Sequence, residues 1–136
     1  MNRLLTAGAI VMFLCLLVLS CATMSDVLAG RNDGTANVYL VKADIAWELA
    51  ITTLRLEGSK TIEEHKESRF IFAKIPATSA GGGCLVGVWV DPVSEDNTKI
   101  TVVTKRKDPT SIFTVLTETG FHRRFAHLVE VMKLPD

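Results

Sequence analysis

The sequence predicts an α+β fold: an antiparallel sheet of about five strands with two helices packed on one face, preceded by an apolar N-terminal helix. Three observations predict it. Short β-prone runs alternate with turn residues, two segments place apolar residues at helical spacing, and the order is strand, helix, four strands, helix. Strands joined by short turns pair antiparallel, and two helices cover only one face of such a sheet.

Composition limits the class of protein. The chain has 136 residues, of which 48% are apolar and 22% are charged, with 15 basic and 15 acidic side chains. This length suits one domain. A balanced charge provides no basic face for nucleic acid, and the apolar fraction is too high for a disordered chain.

The first residues have the layout of a secretory signal. One positive charge, Arg3, precedes an uncharged and almost wholly apolar run from Leu4 to Leu19. This run is shorter than the roughly 20 residues that a membrane-spanning helix needs. We therefore predict that residues 1–20 are a signal peptide. An uncleaved anchor and an ordinary secreted protein are the alternatives.

The end of this run, Val18-Leu19-Ser20-Cys21, resembles the lipobox of bacterial lipoproteins. The resemblance implies signal cleavage between Ser20 and Cys21, acylation of Cys21, and attachment to a lipid bilayer through the acyl chains. In Gram-negative lipoproteins an aspartate after the cysteine resembles an inner-membrane retention signal, and this chain has Ala22 there. The resemblance therefore implies a lipoprotein of the outer membrane that faces the periplasm.

Residues 21–35 are predicted to be a lipidated, flexible tether. They are polar and small, lack periodicity, and include the turn-forming residues Gly30, Asn32, Asp33 and Gly34. About a dozen flexible residues reach roughly 20 Å on average. We expect this tether to hold the domain, residues 36–136, away from the bilayer, and we expect the domain to fold without it.

The domain begins with a predicted strand over residues 36–42 and a helix over residues 44–57. Asp44 offers a side-chain oxygen as N-cap, and Gly58 follows the last helical residue, where a left-handed conformation is common. The apolar stripe of this helix has the spacing i, i+3, i+4 and i+7 and consists of Trp47, Ala50, Ile51 and Leu54.

Four strands and a second helix follow. The strands are predicted over residues 61–65, 69–75, 84–91 and 99–105, and the helix over residues 119–133. Phe121 and Phe125 lie in the apolar stripe of that helix. The conformation of residues 106–120, which reach into the start of this helix, is left open, because their apolar part suits a helical turn as well as a loop.

The whole pattern is similar in outline to the helix-grip domains of envelope lipoproteins, such as those of BamC, and to small uncharacterised lipoproteins. The likeness rests on Val38-Tyr39, then Trp47, Leu54 and Gly58, and on the segment from Leu116 to Phe125. It implies a fold more than an activity, since these are mostly core positions.

Cys84 is the one candidate nucleophile, since some lipoproteins are cell-wall hydrolases that use a cysteine. Such a thiolate is stabilised at a helix N-terminus near a histidine. Cys84 instead follows three glycines, Gly81-Gly82-Gly83, and opens a predicted strand. These glycines lack the Gly-Lys-Ser/Thr ending of a phosphate-binding loop. We predict a buried or half-buried thiol, no catalytic residue and no cofactor.

The histidines and acidic residues do not predict a metal or catalytic site. His122 and His127 are five residues apart, whereas helical ligand pairs are three or four apart, and His65 lies elsewhere. Glu63, Glu64 and Glu67 lie among basic residues in a weak strand and the turn after it. We expect these carboxylates to form a solvated edge of the domain and not a paired catalytic site. We predict no metal ion.

Phe70 and Phe72 are the candidate partner surface. They share one face of a strand, so they are exposed if both helices cover the opposite face, and buried in the other register. Exposed aromatic patches mark binding surfaces. We therefore predict a non-enzymatic binding or scaffolding domain with another envelope protein as its partner. A hydrolase that uses Cys84, and a binder of a small ligand or lipid, are the alternatives.

Overall fold

The computed structural model describes residues 2–18, 23–79, 81–107 and 116–134. Its four α-helices and five strands, in chain order, are α1 (Asn2–Val18), α2 (Met24–Ala29), β1 (Thr35–Tyr39), α3 (Ala43–Leu56), β2 (Thr61–His65), β3 (Phe70–Ile75), β4 (Cys84–Pro92), β5 (Thr98–Arg106) and α4 (Glu118–Lys133). Single 3-10 turns occupy Arg31–Asp33 and Lys66–Ser68.

The strands form one antiparallel sheet in the order β1-β5-β4-β3-β2. Helix α3 connects the two edge strands, and α4 follows β5. The predicted α+β class is therefore confirmed. Strand β1 ends three residues earlier than predicted, because Val41 turns into the core, where its carbonyl accepts a hydrogen bond from the Thr98 hydroxyl at 2.7 Å.

Helix α3 differs slightly from the prediction at its start. It begins at Ala43, with Lys42 as the N-cap residue. Asp44 lies inside the first turn, and its carboxylate accepts a hydrogen bond from the Ile45 N–H at 2.9 Å. The helix ends at Leu56, one residue before the predicted end. The left-handed glycine is confirmed, because Gly58 adopts φ +99°, a conformation that costs a residue with a Cβ more than it costs glycine.

The larger core lies between the two long helices and one face of the sheet, which we call the inner face. Trp47 of α3 and Phe125 of α4 are both buried in it, as the helical spacing predicts. Alternate residues of the strands complete it, and those of β4 and β5 are Cys84, Val86, Val88, Val90, Ile100 and Val102.

Helix α4 is fixed to the sheet by hydrogen bonds at its first turn. Glu118 accepts hydrogen bonds from the backbone N–H and the hydroxyl of Thr35, at 2.9 and 2.8 Å, and from the Thr104 N–H at 3.3 Å. The Thr117 hydroxyl caps the helix by accepting from the Gly120 N–H at 3.0 Å. One carboxylate thus joins α4 to both β1 and β5.

The opposite face of the sheet, the outer face, has its own apolar cluster. Its buried members are Val27, Phe70, Phe72, Leu85, Trp89 and Val103. Val27 belongs to α2, and it is fully buried over Gly87 of β4. A Cβ at position 87 would lie 2.9 Å from Phe70 and closer still to Val27, so the contact requires glycine.

The prediction of a flexible tether is therefore wrong for residues 23–34, which we call the strap. Its helix is capped by Asp26, whose carboxylate accepts from the Thr23 backbone N–H at 2.7 Å. Its 3-10 turn is held by Arg31, which lies 5.3 Å from the Trp89 ring centroid and 3.0 Å from the Asp91 carboxylate. The apolar outer face holds the strap in place.

Helix α1 stands apart from both clusters. Its described side chains are exposed, and among the described residues it contributes none to the core on either face. In the described part of the chain, no helix has both the length and the apolar character required to span a membrane.

Because the strap covers the outer face, we expect it to stabilise the domain. A chain that begins at residue 35 should have a free energy of unfolding at least about 2 kcal/mol below that of a chain that begins at residue 23. Burial of one valine alone contributes about 1.5 to 3 kcal/mol. Urea denaturation followed by circular dichroism would measure the difference. Equal stabilities would show that the strap is not part of the fold.

Candidate functional site

The residues predicted to form the lipidation site, Ser20 and Cys21, lie outside the described residues. Phe70 and Phe72, the candidate partner surface, are buried, so of the two arrangements that the sequence left open the exposed one is wrong. The two long helices do cover the Ile71 face, yet both phenylalanines are 2% and 3% exposed, because they belong to the outer cluster with Val27. Two helices leave one sheet face open, and the sequence of the strap did not reveal that it closes this face.

Cys84 is a core residue. It is fully buried at the start of β4 on the inner face, and its Sγ lies 4.0 Å from the Leu116 carbonyl oxygen. Burial raises the pKa of the Cys84 thiol, with smaller opposing effects from that carbonyl and from Lys107. Nucleophilic cysteines have the opposite properties, exposure and a lowered pKa.

We expect Cys84 to react with iodoacetamide only when the domain unfolds. The thiol is inaccessible, and its raised pKa reduces the thiolate fraction at neutral pH. Peptide mapping by mass spectrometry, with and without denaturant, would separate Cys84 from the other cysteines. Rapid labelling of Cys84 in the folded protein would contradict this prediction and revive the hydrolase alternative.

The three histidines lie in three different environments. His65 of β2 stacks on Phe70 at 5.8 Å between ring centroids, with its Nε2 at 3.5 Å from the Glu63 carboxylate. His127 is exposed on α4, whereas His122 is buried. Across residues 2–18, 23–79, 81–107 and 116–134, no group of three or more His, Cys, Asp or Glu side chains is arranged to hold a metal ion.

His122 is bonded on both ring nitrogens. Its Nε2 lies 2.8 Å from the Thr35 carbonyl oxygen, which only accepts, so Nε2 carries the hydrogen. Its Nδ1 then accepts from the Tyr39 hydroxyl, at 2.6 Å. Burial lowers the pKa of His122, against smaller raising effects from Thr35 and Glu118. Burial likewise raises the pKa of Tyr39.

The hydrogen-bonded pair of His122 and Tyr39 predicts that the stability of the domain depends on pH. Because the pKa of His122 is below its ordinary value of 6.5 in the folded state, the unfolded chain binds this proton first as the pH falls. The free energy of unfolding should be highest above pH 6.5, decrease as the pH falls, and level off below the depressed pKa. Denaturant titrations between pH 8 and pH 5 would measure the slope.

The control is His127, which is exposed on the same helix. His122→Gln should remove this part of the slope, whereas His127→Gln should retain it. A full slope in His122→Gln would assign the pH dependence to another group.

A surface pocket of about 310 Å³ lies between the first turns of α3 and the turn that joins β2 to β3. We call it the Trp47 pocket. It is lined by Ala43, Asp44, Trp47, Glu48, Lys66, Arg69, Val90 and Pro92.

The apolar side of this pocket is rigid. Trp47 is 8% exposed, and its indole Nε1 donates a hydrogen bond to the Glu64 carboxylate at 2.7 Å. Val90, which is buried in the inner core, and Pro92 lie at the end of β4 beside it. The ring is therefore held by packing and by a charge-assisted hydrogen bond.

The polar side of the pocket has charges of both signs. Asp44 and Glu48 lie one turn apart on α3, and Lys66 and Arg69 lie on the turn after β2. Arg69 has φ +55°, the left-handed region that favours glycine or asparagine. The sequence predicted that Trp47 is a core residue and that the turn after β2 is a solvated edge of mixed charge. Nothing in the local pattern indicated that Trp47 and this turn line the same pocket.

Compared with known proteins, the chain matches no protein-family model and no curated protein. The resemblance of residues 18–21 to a lipobox, and of the domain to helix-grip lipoproteins, therefore stays a prediction.

Proposed function

We propose that the chain is a bacterial lipoprotein, acylated at Cys21, that presents a non-enzymatic binding or scaffolding domain in the cell envelope. Its bilayer is the outer membrane, and its domain faces the periplasm. The proposal combines the lipobox-like sequence before Cys21 with the division of the described chain into an apolar helix and a separate domain.

One observation in particular supports this proposal. Among the described residues, those of helix α1, which ends at Val18, belong to neither core cluster, and the first that pack on the sheet belong to α2, whose N-cap is Thr23. Cleavage between Ser20 and Cys21 would therefore remove α1 without removing any residue of either described cluster. A signal peptide must be separable from the fold in this way.

The strap changes how the domain would sit on the bilayer. Only Ala22 separates Cys21 from Thr23, the N-cap of α2. A few residues reach about 10 Å even when fully extended. Two or three acyl chains, at about 0.8 kcal/mol per buried methylene, form a firm anchor. The domain would therefore be held directly at the headgroups, with little freedom to move away.

The non-enzymatic part of the proposal is supported by Cys84. The thiol that the sequence offers as a nucleophile is fully buried, and burial raises its pKa. Cys84 begins β4, pairs with Ile75 and Arg106 at the end of the sheet ladder, and belongs to the inner-face core. An incoming substrate would have to open that core to reach the sulfur.

Acylation of Cys21 is the direct test. In a bacterial host with lipoprotein processing, the wild-type chain should lose residues 1–20 and gain the mass of a diacylglycerol, with or without a further acyl chain. Cys21→Ser should remain as an uncleaved precursor without lipid, because serine lacks the sulfur that is modified. Intact-protein mass spectrometry measures both. Cys15→Ser is the matched control and should be processed normally; unmodified wild-type protein would refute the proposal.

A further inference from the structure

We infer that the Trp47 pocket binds a small zwitterion, a molecule with an ammonium group and a carboxylate or phosphate group on a short apolar body. This inference rests on the proposed binding role of the domain and names its ligand class, but it does not depend on acylation of Cys21. Amino acids or short peptides and ethanolamine phosphates are the two sources of this chemistry.

The charges on the two sides of the pocket are the first argument. Asp44 and Glu48 have the i, i+4 spacing on α3, at which like charges repel, and a bound cation would relieve that repulsion. Lys66 and Arg69 provide two cations on the facing turn. None of these four side chains takes part in the ion pairs recorded among the described residues, such as Arg31 with Asp91 and Arg124 with Glu57.

The four pocket charges therefore face a common space without neutralising one another. A ligand with one charge would meet an unfavourable charge on the opposite side of this space. A zwitterion satisfies both sides at once, with its ammonium at the carboxylates and its anionic group at Lys66 and Arg69. The guanidinium of Arg69 matches a carboxylate or phosphate through two parallel hydrogen bonds.

The conformation of Arg69 is the second argument. Its N–H donates to the Lys66 carbonyl at 3.2 Å, and its own carbonyl accepts from the Val90 N–H at 3.0 Å. These bonds hold the residue at φ +55°, where glycine or asparagine is less strained. Strained residues of this kind occur preferentially at ligand sites. The long side chain at this position lines the pocket.

The rigid wall and the size of the pocket are the third argument. The hydrogen bond from Trp47 to Glu64 fixes the indole before a ligand arrives, so binding does not have to order it. An aromatic ring beside two carboxylates also attracts an ammonium group. A volume of about 310 Å³ is at the small end of ligand pockets, which suits a dipeptide or a headgroup rather than a whole lipid.

The test uses the full chain, labelled with ¹⁵N, in a non-ionic detergent. The chain has two tryptophans, and Trp47→Phe identifies the indole N–H signal of Trp47. The probes are alanyl-alanine and phosphoethanolamine. At least one should shift that signal saturably at concentrations up to about 20 mM, in the range of weak binding. The probe that binds identifies the source.

Two chemical controls remove one charge each from the dipeptide, N-acetyl-alanyl-alanine and alanyl-alanine amide. If the dipeptide binds, each capped form should bind at least about tenfold more weakly. Phosphoethanolamine is compared in the same way with ethanolamine and with inorganic phosphate. Equal binding of the forms that carry charge of only one sign would overturn the proposal.

Three variants complete the test. Arg69→Gly removes the guanidinium and suits the left-handed backbone, and Glu48→Gln removes one carboxylate without changing the shape of the side chain. Each should weaken binding at least about fivefold. Arg123→Gln, at an exposed arginine of α4 outside the pocket, should not.

Absence of a saturable shift with both probes, or equal effects of Arg69→Gly and Arg123→Gln, would overturn the zwitterion site. Acylation of Cys21 is measured separately by mass spectrometry. Failure of the pocket and failure of the lipoprotein proposal are therefore distinguishable.

Discussion

Strand β4 is apolar on both of its faces, so the sheet is stable in water only when both faces are covered. From Cys84 to Val90 every residue of this strand is buried. Helices α3 and α4 cover the inner face, and Val27 of the strap packs over Gly87 on the outer face. The three layers follow from this one strand, because an exposed outer face would place Phe70 and Trp89 in contact with water.

Hydrogen bonds from α4 hold the edge strand β1 in place. Glu118 and His122, one turn apart, both bind Thr35 at the start of β1. Strand β1 follows the strap directly, so the same few residues connect the outer cover, the edge strand and the inner helix. Protonation of His122 would disturb this junction, which links the stability of the edge to pH.

The strap and the Trp47 pocket together define the proposed function. If Cys21 is acylated, the strap holds the domain at the membrane surface, and the pocket lies between α3 and the turn after β2. The strongest chemical candidates in the sequence, Cys84 and the phenylalanines of β3, are core residues. The charged side chains that line the pocket, Arg69 and Glu48 among them, lie instead at the surface around the hydrogen-bonded ring of Trp47.

The sequence by itself determined the order of strands and helices, the inner stripes that include Trp47 and Phe125, and the helix end at Gly58. Those features depend on local periodicity and on backbone preference, which are properties of neighbouring residues. It also contains the Thr23 and Asp26 spacing of the strap helix, but that signal is too short to specify where the helix packs. Only the tertiary structure decided that the strap covers Phe70 and Phe72 and that Arg69 and Trp47 line one pocket. Both arrangements bring together residues that are far apart in the chain, and local sequence patterns do not specify such distant neighbours.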